Sequence, residues 1–258
     1  MTLPEQLRSG ARTIGYWMLS DNPQAVERIA AAGDDGANYD YLCFDAQHGL
    51  LDYRALLDGL TALDACGCPG LVRVQDNQQF FIGQALDAGA AGVIVPMVDT
   101  PADARAAVAA CRYPPVGRRS FGPVRAELRM PTTPAEANAA VLCLPMIETA
   151  EGLANVEEIA ATPGVDGLYI GPSDLRLGLG GSAPDDASLD TEFAAALDRI
   201  RAAAAAAGIV LGIHCPSGTV AAERIAAGFS WVSIASDLTH LEEASQAHLK
   251  GALRAPTG

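Results

Sequence analysis

Short apolar runs alternate along this chain with longer stretches of helical periodicity, from one end to the other. Eight of the runs have the length and the β-branched or aromatic content of buried strands. They span residues 13–19, 41–45, 71–74, 92–96, 141–147, 167–170, 209–213 and 231–235. Regular alternation of this kind is typical of βα units around a parallel sheet.

The segments that follow the strands are amphipathic or rich in alanine, which predicts helices. They span residues 23–32, 53–65, 78–88, 101–111, 150–161, 189–207, 217–227 and 238–253. Eight strands and eight helices in 258 residues match the (β/α)8 barrel, whose usual size is about 250 residues. We therefore predict an α/β protein with a single (β/α)8 TIM barrel over residues 1–258; a doubly wound open sheet is the alternative.

Two predicted loops are longer than a turn requires, and long loops in compact domains often bind ligands or act as lids. Residues 112–135 contain GRRSFGPVRA, and residues 177–189 contain GLGGSAPDDAS. Arg118 and Arg119 in the first loop are candidates for contact with an anionic substrate or with a neighbouring subunit. The GxxxxGK[ST] pattern of a phosphate-binding loop is absent from the sequence.

The charge balance excludes several classes of partner. The formal charge is −14, from 17 Lys and Arg against 31 Asp and Glu, so the surface field repels nucleic acids and anionic lipids. No apolar run approaches the roughly 20 residues of a membrane span, and the first residues lack the order of a secretory signal. We expect a cytoplasmic protein with no nucleic-acid or membrane partner.

The six cysteines lie mostly in apolar stretches, and a chain of this length needs no disulfides for stability. We expect reduced, buried thiols. Cys66 and Cys68 form a single C-x-C pair, which without a second cluster does not indicate zinc.

In a barrel the active site lies at the carboxyl ends of the strands, so polar residues there are the candidates for chemistry. Glu148 and Asp174 follow adjacent strands, and two carboxylates suit a hard divalent cation, although each could instead cap a helix. His48 is a candidate general base, and Arg73 is a candidate for binding a carboxylate or an enolate. His214 and Asp237 are weaker candidates, which we expect to be satisfied structural groups.

Several stretches resemble the HpcH/HpaI aldolase/citrate lyase family, and among its members the class II pyruvate aldolases of the 4-hydroxy-2-oxoheptanedioate and 2-keto-3-deoxy sugar acid type. They include YDYLCFDAQHGLLDY, LVRVQDN, ALDAGAAGVIVPMVDT, GRRSFGPVRA and FSWVSIASDLTHL, and they are distributed in family order from residue 39 to residue 241. The most specific match is the segment from IET to VDGLYIGPSDL.

The resemblance implies a barrel that cleaves or forms a carbon–carbon bond between a 2-oxo acid, pyruvate or hydroxypyruvate, and an aldehyde. It implies a divalent cofactor, Mg²⁺, Mn²⁺ or Co²⁺, and a homo-oligomer, often a hexamer, with the terminal helix at about 238–253 exchanged between subunits. The resemblance implies that His48 is the catalytic base and that Arg73 stabilises the transition state. It implies that Glu148 and Asp174 are the metal ligands and that the backbone of Ser173 contacts the pyruvate carboxylate. It also implies that Asp87 raises the basicity of the histidine.

Two substrate-binding positions depart from the family pattern. Gln47 stands where the family often has Glu, and Met146 stands where it often has a Gln that can donate a hydrogen bond. The only lysine is Lys250, far from any strand end, so a Schiff-base mechanism has no candidate residue. A citrate lyase β-like coenzyme A ester lyase and a non-catalytic barrel subunit are the alternative functions.

Overall fold

The structure is a computed structural model that describes residues 1–33, 38–129 and 133–254. Its eight strands close into one barrel in sequence order, and every neighbouring pair is parallel. The predicted (β/α)8 barrel is confirmed, and the open doubly wound sheet is excluded. Among the described residues, no helix has both the length and the apolar character that a membrane crossing requires.

The strand predictions agree with the structure to within two residues at each end. The strands are β1 Thr13–Met18, β2 Tyr41–Asp45, β3 Gly70–Arg73, β4 Gly92–Val95, β5 Leu142–Ile147, β6 Gly167–Ile170, β7 Val210–Cys215 and β8 Trp231–Ile234. The correction with consequences is at β7, which continues two residues further than predicted. His214 is therefore part of the barrel wall and does not follow the strand.

Twelve helices are present in the described ranges, more than the sequence predicts. They are α1 Leu3–Arg8, α2 Pro23–Ala30, α3 Tyr53–Cys66, α4 Gln79–Asp87, α5 Pro101–Cys111, α6 Pro134–Ala140, α7 Ala150–Ala154, α8 Val156–Ala160, α9 Pro172–Gly178, α10 Asp190–Ala207, α11 Gly218–Ala226 and α12 Asp237–Leu253. Three short helices, α1, α6 and α9, were not predicted, and the predicted helix 150–161 is broken at Asn155. Helix α6 begins in the predicted loop 112–135, of which residues 130–132 lie outside the described ranges.

Local sequence explains where the long helices begin and end. Asn22 accepts hydrogen bonds from the N–H groups of residues 24 and 25, and the following proline suits the first turn of α2. Asp52 caps α3 in the same way. Gly67 and Gly208 adopt left-handed φ values of 66° and 69° and terminate α3 and α10.

Successive side chains of each strand point alternately outward to the helices and inward to the barrel axis. In β2, Leu42 and Phe44 pack in the outer core, whereas Tyr41 and Cys43 belong to the inner one. The inner core also contains Trp17, Leu71, Ile94, Leu142, Leu144, Met146, Tyr169, Val210 and Trp231. This alternation decides which residues near the strand ends can reach the axis.

Large aromatic rings fill the barrel interior, and glycines on neighbouring strands make room for them. A Cβ atom on Gly15 would lie 2.1 Å from the Tyr41 ring, and one on Gly212 would lie 2.3 Å from the Trp231 ring. The polar atoms of these rings are satisfied internally. Tyr41 Oη is 2.8 Å from Ser233 Oγ and accepts a hydrogen bond from Trp231 Nε1 at 2.7 Å. Chemistry is therefore confined to the ends of the barrel.

Helix α1 covers the amino-terminal end. Leu3 and Leu7 are buried and join the inner core. Arg8 donates from Nε to Asp166 at 2.8 Å, and Arg112 donates to the other oxygen of that carboxylate at 2.8 Å. With this end covered, the carboxyl end of the barrel is the open mouth.

We predict that Gly212→Ala destabilises the protein by about 1–3 kcal/mol, because the added methyl group overlaps the buried Trp231 ring. Gly83→Ala in α4 is the matched control, since nothing lies within 4 Å of its Cβ position. That control is expected to be neutral or stabilising by up to about 1 kcal/mol. Urea unfolding measures both changes; equal stability of the two variants would contradict the proposed interior packing.

Candidate active site

Polar residues meet at the open mouth because alternate residues of each strand point toward the barrel axis, and several of the last inward positions are polar. Asp45 continues the inward series of Tyr41 and Cys43, and Arg73 continues that of Leu71. Glu148 directly follows β5 with the parity of the inward Met146, and His214 has the parity of Val210.

Asp45, Arg73 and His214 line a cavity of about 680 Å³, and Glu148 is buried next to Gly171 in its wall. Its inner wall includes Trp17, Asp45, His48, Arg73, Met146, Gly171, Asp174 and His214, and its outer part includes Arg176, Phe193 and Arg224.

Asp45 organises one side of this cavity and is almost completely buried. Arg73 donates to it twice, from Nε to Oδ1 at 3.0 Å and from Nη2 to Oδ2 at 2.5 Å. Trp17 Nε1 donates to Oδ2 at 3.1 Å. The backbone N–H groups of Gln47 and His48 both donate to Oδ1 at 3.1 Å. One carboxylate thus fixes an arginine, an indole and the turn that carries the histidine.

The Asp45–Arg73 pair remains charged although it is buried. Burial alone opposes ionisation of Asp45, but the hydrogen bonds and charge of Arg73 outweigh it and lower the pKa of this carboxyl. The guanidinium also lies 5.3 Å from the centre of the Trp17 ring. Because Asp45 uses Nε and Nη2, the Nη1 donors of Arg73 remain for a ligand.

The turn after β2 places His48 at the cavity wall. Gly49 N–H donates to the Asp45 carbonyl oxygen at 3.0 Å, and a Cβ atom on Gly49 would lie 2.2 Å from that oxygen. Only glycine fits this close approach of backbone to backbone. The His48 side chain is exposed to the cavity and is therefore accessible to a ligand.

Glu148 is buried behind the cavity wall, and its role is not that of a helix cap. Thr149 caps α7 through its hydroxyl, so capping by Glu148 is excluded. Glu148 Oε1 instead accepts a hydrogen bond at 2.7 Å from the N–H of Met97, a residue with a strained φ of 53°. A Cβ atom on Gly171 would lie 2.8 Å from the other oxygen, Oε2, so this glycine leaves the space in front of it open.

Asp174 lies in the first turn of α9, exposed to the cavity. The N-cap of α9 is Gly171, and Asp174 accepts no hydrogen bond within the described part of the chain, so a capping role is not seen here either. Burial raises the pKa of Glu148, the Met97 N–H and Arg73 partly offset this, and the negative charge of Asp174 raises it further. These two carboxylates repel each other and favour a cation between them.

The donor set fits a hard divalent cation. The described residues contain no cluster of three or more His, Cys, Asp or Glu side chains arranged to hold a metal ion. Two carboxylates completed by water and substrate oxygens are nevertheless a common arrangement for Mg²⁺. Glu148 and Asp174 are the residues that would hold it.

The remaining predicted positions divide between cavity and surroundings. Ser173 lines the cavity beside Asp174, and Met146 lies in its wall, where its thioether contributes apolar surface. Gln47 does not line the cavity, and its Oε1 is shielded from solvent without a hydrogen-bond partner in the described chain.

The structure does not bring Asp87 to His48 within this chain. Asp87 is the last residue of α4, in the outer layer, and accepts a hydrogen bond from Arg119 Nη2 at 2.6 Å. Burial raises the pKa of Asp87 despite the positive charge of Arg119. Arg119 is itself buried over the Tyr113 ring, and neither Arg118 nor Arg119 lines the cavity. Of the two roles considered for this arginine pair, contact with a substrate in this cavity is thus not supported by its position, and contact with a neighbouring subunit stays open.

Sequence reasoning missed the importance of three residues. Asp45 and His214 were recognisable as residues at the ends of strands. Their spacing from apolar residues that point toward the barrel axis was the signal that would have made them stronger candidates. Trp17 gave no signal, because a tryptophan inside an apolar run is usually core. Asp237 is a satisfied structural group, as expected, since it accepts hydrogen bonds from the N–H groups of Leu19 and Ser20.

A closed (β/α)8 barrel with a histidine, an arginine and carboxylates at its open end is the arrangement of a TIM-barrel enzyme. The family model described as HpcH/HpaI aldolase/citrate lyase matches residues 13–244, so the chain belongs to this family. This agrees with the resemblance seen in the sequence.

Individual relatives agree with the family assignment. The chain is 42% identical to a hydroxypyruvate/pyruvate aldolase of Rhizorhabdus wittichii, over 81% of this chain and 83% of that protein. It is 40% identical to a 4-hydroxy-2-oxovalerate aldolase of Novosphingobium aromaticivorans, over 79% of this chain and 78% of that protein. The crystal structure of a family member from Burkholderia cenocepacia superposes with a TM-score of 0.87 at 32% identity, covering 97% of this chain and 98% of that one.

We predict that Glu148→Gln stabilises the metal-free protein by on the order of 1 kcal/mol, because it removes a buried charge that Asp174 repels. The pKa of Glu148 is raised in the folded state, so its contribution to stability is favourable at low pH and is lost as the pH rises through that pKa. The gain from the substitution is therefore expected at pH 7 and not at pH 4. Thermal unfolding in EDTA at both values measures it.

Glu158→Gln is the control, since this glutamate is exposed on α8. A less stable Glu148→Gln variant at pH 7 would contradict the repulsion argument.

Proposed function

We propose that this protein is a class II, metal-dependent aldolase that reversibly cleaves 4-hydroxy-2-oxo acids to pyruvate or hydroxypyruvate and an aldehyde. The observation that carries the proposal is the convergence of His48, Arg73 and Asp174 on one cavity of about 680 Å³, with Glu148 buried beside its wall close enough to interact with Asp174. The relatives named as hydroxypyruvate/pyruvate and 4-hydroxy-2-oxo acid aldolases support the substrate class.

Proton transfer is assigned to His48. In the cleavage direction the imidazole takes the proton of the 4-hydroxyl, directly or through one water, and the C3–C4 bond breaks with release of the aldehyde. The electron pair of that bond moves onto the three-carbon fragment and forms an enolate. Return of a proton to C3 completes the 2-oxo acid.

Charge stabilisation is assigned to Arg73. Its guanidinium is held rigidly by Asp45, so its free Nη1 donors are oriented before the enolate oxygen develops its charge. Glu148 and Asp174 would hold the divalent cation, and the chemistry that the cation would supply is Lewis-acid polarisation of the substrate carbonyl. Binding of the substrate carboxylate is assigned, by family resemblance, to the backbone of Ser173 at the start of α9, beside Asp174.

The arginines favour the aldolase over a coenzyme A ester lyase. Arg125 donates to the carbonyl oxygen of Ala88 and pairs with Asp64, and Arg129 pairs with the same carboxylate at 3.2 Å. Arg119, Arg125 and Arg129 are thus already engaged with the carboxylates of Asp87 and Asp64, which leaves less basic surface for a nucleotide.

We also propose a cytoplasmic homo-oligomer, a hexamer by family resemblance, in which α12 packs on a neighbouring subunit. Helix α12 has no buried residue, and Leu241, Leu249 and Leu253 are more than 60% exposed. All six cysteines, each within the described residues, are free thiols, which suits a reducing compartment; four are buried and Cys66 and Cys68 are partly so. Light scattering after size exclusion tests the subunit number, and a monomer would contradict the proposal.

The experiment that tests the activity measures pyruvate release from a panel of 4-hydroxy-2-oxo acids, in EDTA and after addition of Mg²⁺, Mn²⁺ or Co²⁺. We expect no release in EDTA and recovery with at least one of the metals. Turnover that survives chelation would exclude the metal-dependent mechanism. No turnover on any substrate would favour the coenzyme A ester lyase or the non-catalytic barrel.

For the residue assignments, we predict that Arg73→Lys lowers kcat by about 10²–10³-fold, because lysine cannot reproduce the two-point contact with Asp45 and still reach the substrate. Arg54→Lys, in an exposed pair with Asp58 on α3, is the control, and its kcat should be unaffected.

His48→Ala should lower kcat by about 10²–10⁴-fold with metal affinity unchanged. Steady-state kinetics and metal titration measure these effects, and wild-type rates in either site variant would refute its assigned role.

A further inference from the structure

The β7 wall of the cavity carries an imidazole that the mechanism above does not use. His214 lines the cavity and packs edge-on against Trp17, with ring centres 5.2 Å apart. Ile213 pairs with Ile170 of β6, so His214 lies level with Gly171, just before the helix that carries Asp174. It therefore borders the proposed reaction centre and not the outer part of the cavity.

Neither ring nitrogen of His214 has a hydrogen-bond partner among residues 1–33, 38–129 and 133–254, and Nδ1 is shielded from solvent. The ring is nevertheless partly exposed, so its accessible surface lies on the side of Nε2, toward the cavity. Buried polar groups in proteins are normally paired. An unpaired one beside a substrate cavity is suited to bind a polar group of the ligand.

The charge state of His214 determines which hydrogen bonds it can make with a ligand. Burial, with the positive charge of Arg73, lowers the pKa of His214 to about 4, so the ring is neutral at pH 7. A neutral imidazole has one N–H donor and one acceptor. In proteins, a buried N–H group without a partner is rarer than a buried acceptor without one. Because Nδ1 is the buried, unpaired nitrogen, we assign it as the acceptor and place the proton on Nε2. The residue thus presents a single neutral donor to the cavity.

Trp17 separates this donor from the groups that bind the oxygens of a 2-oxo acid. Arg73 lies on one side of the indole, and His214 lies at its edge. With the keto and carboxylate oxygens directed toward Arg73, Glu148 and the start of α9, C3 of the acid extends toward the wall formed by Trp17 and His214. An aromatic ring and one donor suit a carbon that bears a hydroxyl.

We propose that His214 is a specificity-determining residue whose Nε2–H donates to a hydroxyl on C3 of the nucleophile, so that a 3-hydroxylated 2-oxo acid such as hydroxypyruvate is selected over pyruvate. The inference rests on the aldolase activity proposed above. The hydroxyl takes no part in bond changes: one C3 proton leaves, the C3–C4 bond forms, and the hydroxyl stays on C3.

The test compares kcat/KM for hydroxypyruvate and for pyruvate in aldol addition to one common aldehyde. His214→Phe keeps the contact with Trp17 but removes the donor, and His214→Asn keeps an N–H donor on a shorter side chain. We expect the wild type to favour hydroxypyruvate and His214→Phe to lower the ratio about tenfold or more, with part of the preference restored in His214→Asn. The control is Arg28→Leu, which removes an exposed donor in the last turn of α2, outside the cavity, and its ratio should equal that of the wild type.

Calorimetric titration of the Mn²⁺-loaded variants with each 2-oxo acid is run in parallel. It separates the two proposals: a binding preference for hydroxypyruvate that His214→Phe abolishes supports the role of His214 even if no aldol product forms. An unchanged ratio in His214→Phe would overturn it. An equal loss of rate with both acids would also overturn it, because the imidazole would then act on the aldehyde oxygen. If neither acid binds, the proposed role of His214 is likewise overturned.

Discussion

The buried ion pair between Asp45 and Arg73 is the interaction on which the mouth of this barrel depends. Asp45 satisfies five donors from four residues, and these donors come from β1, β3 and the turn after β2. Removing either partner of such a pair would leave an uncompensated buried charge, which in proteins destabilises by about 3–5 kcal/mol. The pair therefore links the stability of three neighbouring elements to the placement of Arg73 and His48.

The same pair also determines the electrostatics of the rest of the site. Burial and, to a smaller extent, the charge of Asp174 raise the pKa of Glu148, and Arg73, which is already paired with Asp45, offsets this only in part. The residual negative charge lies where a glycine, Gly171, leaves open space and where a strained residue, Met97, holds Glu148 in place. A site built this way is less stable when empty than a neutral one, and a bound cation relieves the repulsion.

The sequence predicted the barrel because its strands are short apolar runs whose boundaries are set by glycines and polar residues. It also placed Arg73, Glu148 and His48 at the carboxyl end of the barrel. It could not predict the contacts of Asp45, since these join residues 28 positions apart in both directions along the chain. Helices α1, α6 and α9 were missed because each has seven residues or fewer, too short for periodicity to be visible. Resemblance suggested a partnership of Asp87 with His48, which the packing of α4 against Arg119 does not provide within the chain.

Strand parity explains why the two sides of the mouth differ. On β2 and β3 the last inward positions are the oppositely charged Asp45 and Arg73, which neutralise each other and leave directed donors. On β6 and β7 the corresponding positions are Gly171 and a neutral His214, beside the apolar Trp17. The strand wall on the β2 and β3 side offers Arg73 to the charged oxygens of a ligand, whereas the cations on the β7 side, Arg176 and Arg224, lie on helices α9 and α11 and not on the strands. In the orientation proposed above, the reacting carbon faces Trp17 and His214, so differences in reactivity between 2-oxo acids would depend on that wall, whereas the β2, β3 and β5 side would bind the features that all 2-oxo acids share.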